Sequence, residues 1–244
     1  MRAPVAGSSL LASVVAAGLA CSRAAPTPEA VVLTADEQKA GWRLLFDGQT
    51  TAGWRGFKRP DLPAGWQVID GALTRVAEAG DIVTDDEFQD FELALEWQVE
   101  PGGNSGIFYR VSEAPQLEAV WESGPEMQVL DDKGHKDGQR PETSAGACYD
   151  MYPAPRGISR PGGEWNQVRL LVRGRHVEHW LNGSKVVEYE LDSPDWERRL
   201  QRSKFAKLPR YGREPAGHIA LQDHGDRVAY RNIRIRTLSP SVTR

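Results

Sequence analysis

Cysteine is nearly missing from this sequence: its 244 residues hold Cys21, Cys148 and no other. Cys21 falls in an N-terminal leader and Cys148 would be left alone, so no disulfide framework can be drawn and cysteine usage says nothing about compartment. An excess of positive charge is missing too. Thirty Lys and Arg against 34 Asp and Glu leave a net charge of −4, which argues against a nucleic-acid partner. Long apolar runs are confined to the N-terminus. Even there, Val5 to Ala20 is too short and too rich in Ala and Gly for a membrane span, which needs about 20 apolar residues.

That stretch, after the positive start Met1-Arg2, reads as a signal peptide over residues 1–20. Gly18-Leu19-Ala20-Cys21 offers small residues to a signal peptidase and a cysteine directly after the cut. Lipidation of Cys21 is therefore expected, with plain secretion as the alternative. The protein would be exported to the periplasm or cell surface and would meet the membrane only through this N-terminal lipid anchor. Residues 21–40, with Ala25-Pro26-Thr27-Pro28-Glu29, read as a linker, and residues 41–240 as one domain.

What is present is tryptophan, eight residues in all, and strand patterning. Phe91 to Val99 alternates with period two, apolar on odd positions. Val168 to Val172, Val177 to Leu181, Ile219 to Gln222 and Tyr230 to Ile235 repeat the pattern, and Asn182-Gly183 supplies a hairpin turn. Short alternating strands punctuated by Asp47-Gly48, Asp70-Gly71 and Gly102-Gly103 predict an all-β sandwich or barrel. One short helical insertion is expected from Ser193 to about Lys204, with Ser193 as N-cap and Pro194 in the first turn. Most of the tryptophans are expected in the core, although indole rings also suit the apolar faces of sugars.

Period two also sorts the faces. If the apolar faces form the core, Arg110, Glu126, Gln128, Gln222 and His224 converge as a polar patch. Glu92 and Glu96 fall on the polar face of their own strand. His176 and His179, three apart on a strand, point to opposite faces and are expected at the surface, and Cys148 reads as a packed small hydrophobe. Asp131, Asp132 and His135 share a turn where a divalent ion could act as a Lewis acid. Whether a metal is used stays open.

Gly103-Asn104-Ser105-Gly106-Ile107-Phe108, Glu126-x-Gln128-Val129-Leu130-Asp131, Gly146-Ala147-x-Tyr149, Gly163-Glu164-Trp165-Asn166, Leu221-Gln222-x-His224-Gly225 and Arg231-Asn232-Ile233 occur in that order. In these motifs the chain resembles the 3-keto-disaccharide hydrolase domain family, from about Trp42 to Leu238. The resemblance implies a concanavalin A-like jelly-roll β-sandwich of two antiparallel sheets with a sugar site on one face. It also implies activity on glycosides already oxidised to a ketone at carbon 3. Glu126 and His224 are the expected catalytic pair. Arg110, Gln128, Gln222, Tyr149, Asn104, Asp131 and His135 are the expected substrate-binding residues.

The face Glu126, Gln128, Leu130 lacks the second carboxylate that a retaining glycosidase of this fold carries on one strand. A 3-keto sugar permits another route. The ketone acidifies the carbon-2 hydrogen, its loss expels the glycosidic oxygen, and water then adds. One base, one acid and donors to the enolate oxygen suffice. A non-catalytic, lectin-like carbohydrate-binding module is the competing reading, because such sandwiches host both.

Overall fold

The computed structural model describes residues 30–239. The leader, its cleavage site and Cys21 lie outside the described residues. Two antiparallel sheets pack face to face. The larger has eight strands in the order β11-β10-β9-β6-β13-β4-β3, with β1 also paired to β13. These are β1 (Arg43–Leu44), β3 (Trp66–Ile69), β4 (Ala72–Arg75), β6 (Phe91–Val99), β9 (Asn166–Arg173), β10 (His176–Leu181), β11 (Ser184–Glu190) and β13 (Val228–Thr237). The smaller runs β2-β5-β12-β7-β8, formed by β2 (Trp54–Gly56), β5 (Ile82–Thr84), β12 (His218–Leu221), β7 (Asn104–Val111) and β8 (Glu126–Leu130).

The alternation seen in the sequence is what seats the core. Phe91, Leu93, Leu95, Trp97 and Val99 of β6 face Ile107, Tyr109, Met127, Val129, Ile219 and Leu221 of the smaller sheet in one apolar cluster. Trp54, Trp66, Trp97 and Trp196 are buried. Trp42, Trp165 and Trp180 are half-buried outside it, and Trp121 is exposed.

Two α-helices are present among the described residues. Helix α1 (Ala35–Lys39) is closed by a capping box between Thr34 and Glu37. Helix α2 (Pro194–Leu200) starts as its sequence predicts, with Ser193 Oγ accepting the Trp196 N–H. It stops four residues earlier than expected. Ser203 accounts for this: its hydroxyl donates to the Leu200 carbonyl and accepts the Phe205 N–H, turning the chain away. Phe205 then joins a run of stacked rings, Tyr152, Tyr189, Trp196, Tyr211 and Phe205, with neighbouring centroids 4.1–5.9 Å apart.

His179 corrects the surface expectation. It is fully buried, its Nδ1 3.0 Å from the Gly146 carbonyl and its Nε2 3.3 Å from the Tyr109 hydroxyl. Burial holds its pKa down to about 4. Cys148 is buried as expected, and burial pushes its thiol up to about 12.

Candidate active site

The register of the smaller sheet defines the site. Leu221 pairs with Ile107 and Ile82, and Gly106 pairs with Gln128. One position further along, Asp81, Gln222, Gly106 and Gln128 therefore form a row across β5, β12, β7 and β8. The row lies on the face turned away from the larger sheet. Val83, Ala220 and Phe108 make a small apolar cluster on that same face, covered with Val120 and Phe57.

Glu126 sits two residue pairs along, on the same face and opposite Phe108, and its carboxyl reaches back over Gly106. A Cβ on Gly106 would come within 2.3 Å of Glu126 Oε1, so the absent side chain is what makes room for the carboxyl. Glu126 is only 5% exposed, and its carboxyl has no hydrogen-bond or ion-pair partner among the described residues. Burial raises its pKa to about 8. The Lys204 ammonium pulls against this, and the carboxylates of Asp81 and Asp137 reinforce it. Asp81 is raised to about 6 by burial and by the Asp223 charge, partly offset by the Asp223 N–H it accepts at 2.9 Å.

Opposite these acids stands a cation. Lys204 Nζ lies 4.1 Å from the Tyr149 ring centroid and 5.0 Å from that of Phe205. It makes no ion pair among the described residues. Its backbone is fixed by a 2.8 Å bond from its N–H to Asp150 Oδ2. The Tyr149 hydroxyl donates to Asp137 Oδ2 at 3.0 Å. Tyr149 itself is held against Glu126, its N–H donating to the Glu126 carbonyl at 3.1 Å. Gln222 Oε1 and Asn104 Oδ1 are buried acceptors with no donor among the described residues, a lack that a hydroxyl group can satisfy.

Of the residues singled out from sequence, Glu126, Gln222 and Tyr149 are brought together here, with Asn104 on the neighbouring pair of β7. The others are placed elsewhere. Arg110 has φ +53° in a β-bulge where two residues of β7 oppose one of β12. The bulge turns its guanidinium to the Gln89 and Gly174 carbonyls, 2.9 and 2.7 Å away, and to Asp90. Gln128 is 1% exposed and sealed beneath the segment that follows β8, its amide donating to the Thr143 carbonyl at 3.4 Å and accepting the Val129 N–H. His224 lies beyond the end of β12 in an exposed turn, not on the strand. Glu92 and Glu96 pair with arginines on the larger sheet's outer face.

The turn proposed for a metal is held by its own backbone. Asp131 Oδ2 accepts the Gly102 N–H at 2.8 Å, and Asp132 accepts the Ala145 N–H and the Ser159 hydroxyl. His135 Nδ1 accepts the Asp137 N–H. Burial would raise the Asp131 carboxyl, but several backbone N–H groups hold it below its usual value. These donor atoms already serve the loop, so the set does not fit a divalent ion as it stands. The same engagement makes Asp131 and His135 loop-shaping residues. A separate cluster, His176, Glu178 and Glu188, encloses the Lys185 ammonium, which bonds both glutamates.

The class is that of the two-sheet antiparallel β-sandwiches, here with raised carboxyl groups and unsatisfied amide acceptors gathered on one face. Residues 41–236 match the model of the 3-keto-alpha-glucoside-1,2-lyase-like domain, and the chain belongs to that family. It is 36% identical over 228 residues to the 3-keto-disaccharide hydrolase of Bacteroides thetaiotaomicron, covering 81% of this chain and 79% of that protein. A Parabacteroides distasonis crystal structure assigned as a glycosyl hydrolase superposes with a TM-score of 0.78 at 35% identity, covering 86% of this chain and 100% of that one. The Bacillus subtilis carbohydrate-binding module CBM66 shares the fold, with a TM-score of 0.50 at 11% identity, covering 76% of this chain and 96% of that one.

Sequence reasoning missed Asp81 and Lys204. Asp81 carries a faint signal, since it shares parity with Val83 on the short strand β5. Lys204 carries none, because it stands on irregular backbone.

Proposed function

We propose that this protein cleaves 3-keto-glycosides by elimination and hydration, with the reaction centred on Glu126. The observation that carries the reading is a buried carboxyl, unpartnered among the described residues, that shares one sheet face with a second raised carboxyl, Asp81, and feels both that group and the Lys204 ammonium. Near neutral pH the group of about 6 is ionised and the group of about 8 holds its proton. Asp81 is then the base and Glu126 the acid, with Asp81 in place of His224 as the partner of Glu126.

Asp81 takes the proton from carbon 2, and the C–H electrons pass to the carbon-3 oxygen as an enolate. Lys204 supplies positive charge to that oxygen. Collapse of the enolate restores the ketone, forms the carbon 1–carbon 2 double bond and breaks the glycosidic bond. The departing oxygen takes the proton of Glu126. Water then adds, its hydroxyl to carbon 1 as Glu126 recovers a proton, while Asp81 returns its own to carbon 2. The family description as lyase-like and the hydrolase name of the Bacteroides relative both suit this sequence of steps. The decisive assay offers a 3-keto-disaccharide and its unoxidised parent. Only the former should be turned over, and comparable rates on both would return the site to ordinary glycosidase chemistry.

A further inference from the structure

On the far side of the molecule, the larger sheet carries a groove of about 320 Å³, within the range of ligand pockets. Its position follows from register. Trp180 of β10 pairs with Arg169 of β9, Arg169 with Ala94 of β6, and Ala94 with Arg234 of β13. These four outward-facing residues form one row about 14 Å long, three strand spacings. Ala94 provides a low floor in the middle. At one end Trp180 is clamped, its indole N–H donating to Glu178 at 2.7 Å and the Arg169 guanidinium stacked 4.3 Å from its ring. At the other end Trp42 stands over Arg236 and Arg234, 5.1 and 5.8 Å from its centroid.

The charges in the groove are matched internally. Arg169 bonds Glu92 and Glu178, Arg234 lies 3.3 Å from Glu37, and Glu96 is 2.7 Å from Arg231. No net charge is left over to select an anion or a cation, and the floor is too polar for a purely apolar guest. Two half-buried indoles, that of Trp180 clamped and that of Trp42 over two guanidinium groups, flank a neutral, hydrogen-bonding floor and suit a ligand with apolar ring faces and hydroxyl edges. We infer that this groove is a second carbohydrate site, taking a neutral oligosaccharide or polysaccharide chain and separate from the chemistry at Glu126.

The test uses the full chain titrated calorimetrically with hexamers of β-1,4-linked and of α-1,4-linked glucose, beside turnover of a 3-keto-disaccharide. At least one hexamer should bind. Trp42→Ala and Trp180→Ala should each weaken it by about tenfold, the loss of one good contact, while turnover stays within about twofold of the parent. Ala94→Leu fills the floor without entering the core and should weaken binding by at least as much, which guards against misfolding in the tryptophan variants. Glu126→Gln should leave hexamer binding intact. The inference is overturned if neither hexamer binds, if binding survives all three groove variants, or if Glu126→Gln removes it. Failure of turnover alone would count against the proposed reaction and not against the groove.

Discussion

The Glu126 carboxyl occupies the space where Gly106 has no side chain, with 2.3 Å between Oε1 and the position of an added Cβ. The two residues lie on neighbouring strands, so the glycine of β7 sets where the proton-transfer group of β8 can sit. Gly106→Ala should push the carboxyl aside while leaving the inward face of the sheet untouched. Activity on a 3-keto-disaccharide should fall by roughly the 10²–10⁴-fold attributed to a positioned acid or base. Steady-state kinetics, with circular dichroism to establish folding, measures it.

The pH profile follows from the two carboxyl groups. Asp81 must be ionised and Glu126 protonated, so kcat/KM should rise through about 6 and fall through about 8. A bell centred near pH 7 is expected. If Glu126 were instead the base, kcat/KM would climb through pH 8 with no descending limb there.

Stability should respond to the same residue. The folded pKa of Glu126 is raised from 4.5 to about 8, so the folded state holds a proton that the unfolded chain releases. Its contribution is fully present below about 4.5 and is lost as pH rises through about 8. Glu126→Gln carries no such proton. Urea unfolding should show the variant gaining on the parent by on the order of a few kcal/mol between pH 5 and pH 9.

The leader makes a claim of its own. Gly18-Leu19-Ala20-Cys21 predicts a mature chain that begins at Cys21 and carries lipid. Mass spectrometry of the membrane fraction should find diacylated Cys21, and an unmodified N-terminus at Ser22 or later would contradict it.

Period two made the sandwich legible because each strand buries one face only. It located Glu126 and Gln222 for the same reason. It failed where that regularity fails. At Arg110 one extra residue in β7 breaks the parity, and a bulge leaves no mark on a pattern of apolar positions. Gln128 kept its parity but lost its solvent, because residues 144–148 fold back on β8, with Gly146 and Ala147 bonding its backbone. His179 was readable: it shares parity with Val177 and Leu181, both buried. Treating histidine as a surface residue overrode that signal.

The five stacked rings from Tyr152 to Phe205 bear on how the enzyme cycles. Lys204 precedes the last of those rings, and Gly212, at φ +68°, passes so close to Trp196 that a Cβ there would meet Cζ2 at 2.4 Å. Phe205, packed on Tyr211 at the end of that run, fixes the backbone beside Lys204, whose own side chain is exposed over the Tyr149 ring. On the reaction proposed above, the backbone that carries the ammonium toward Glu126 is therefore set in place during folding, by packing that involves no substrate.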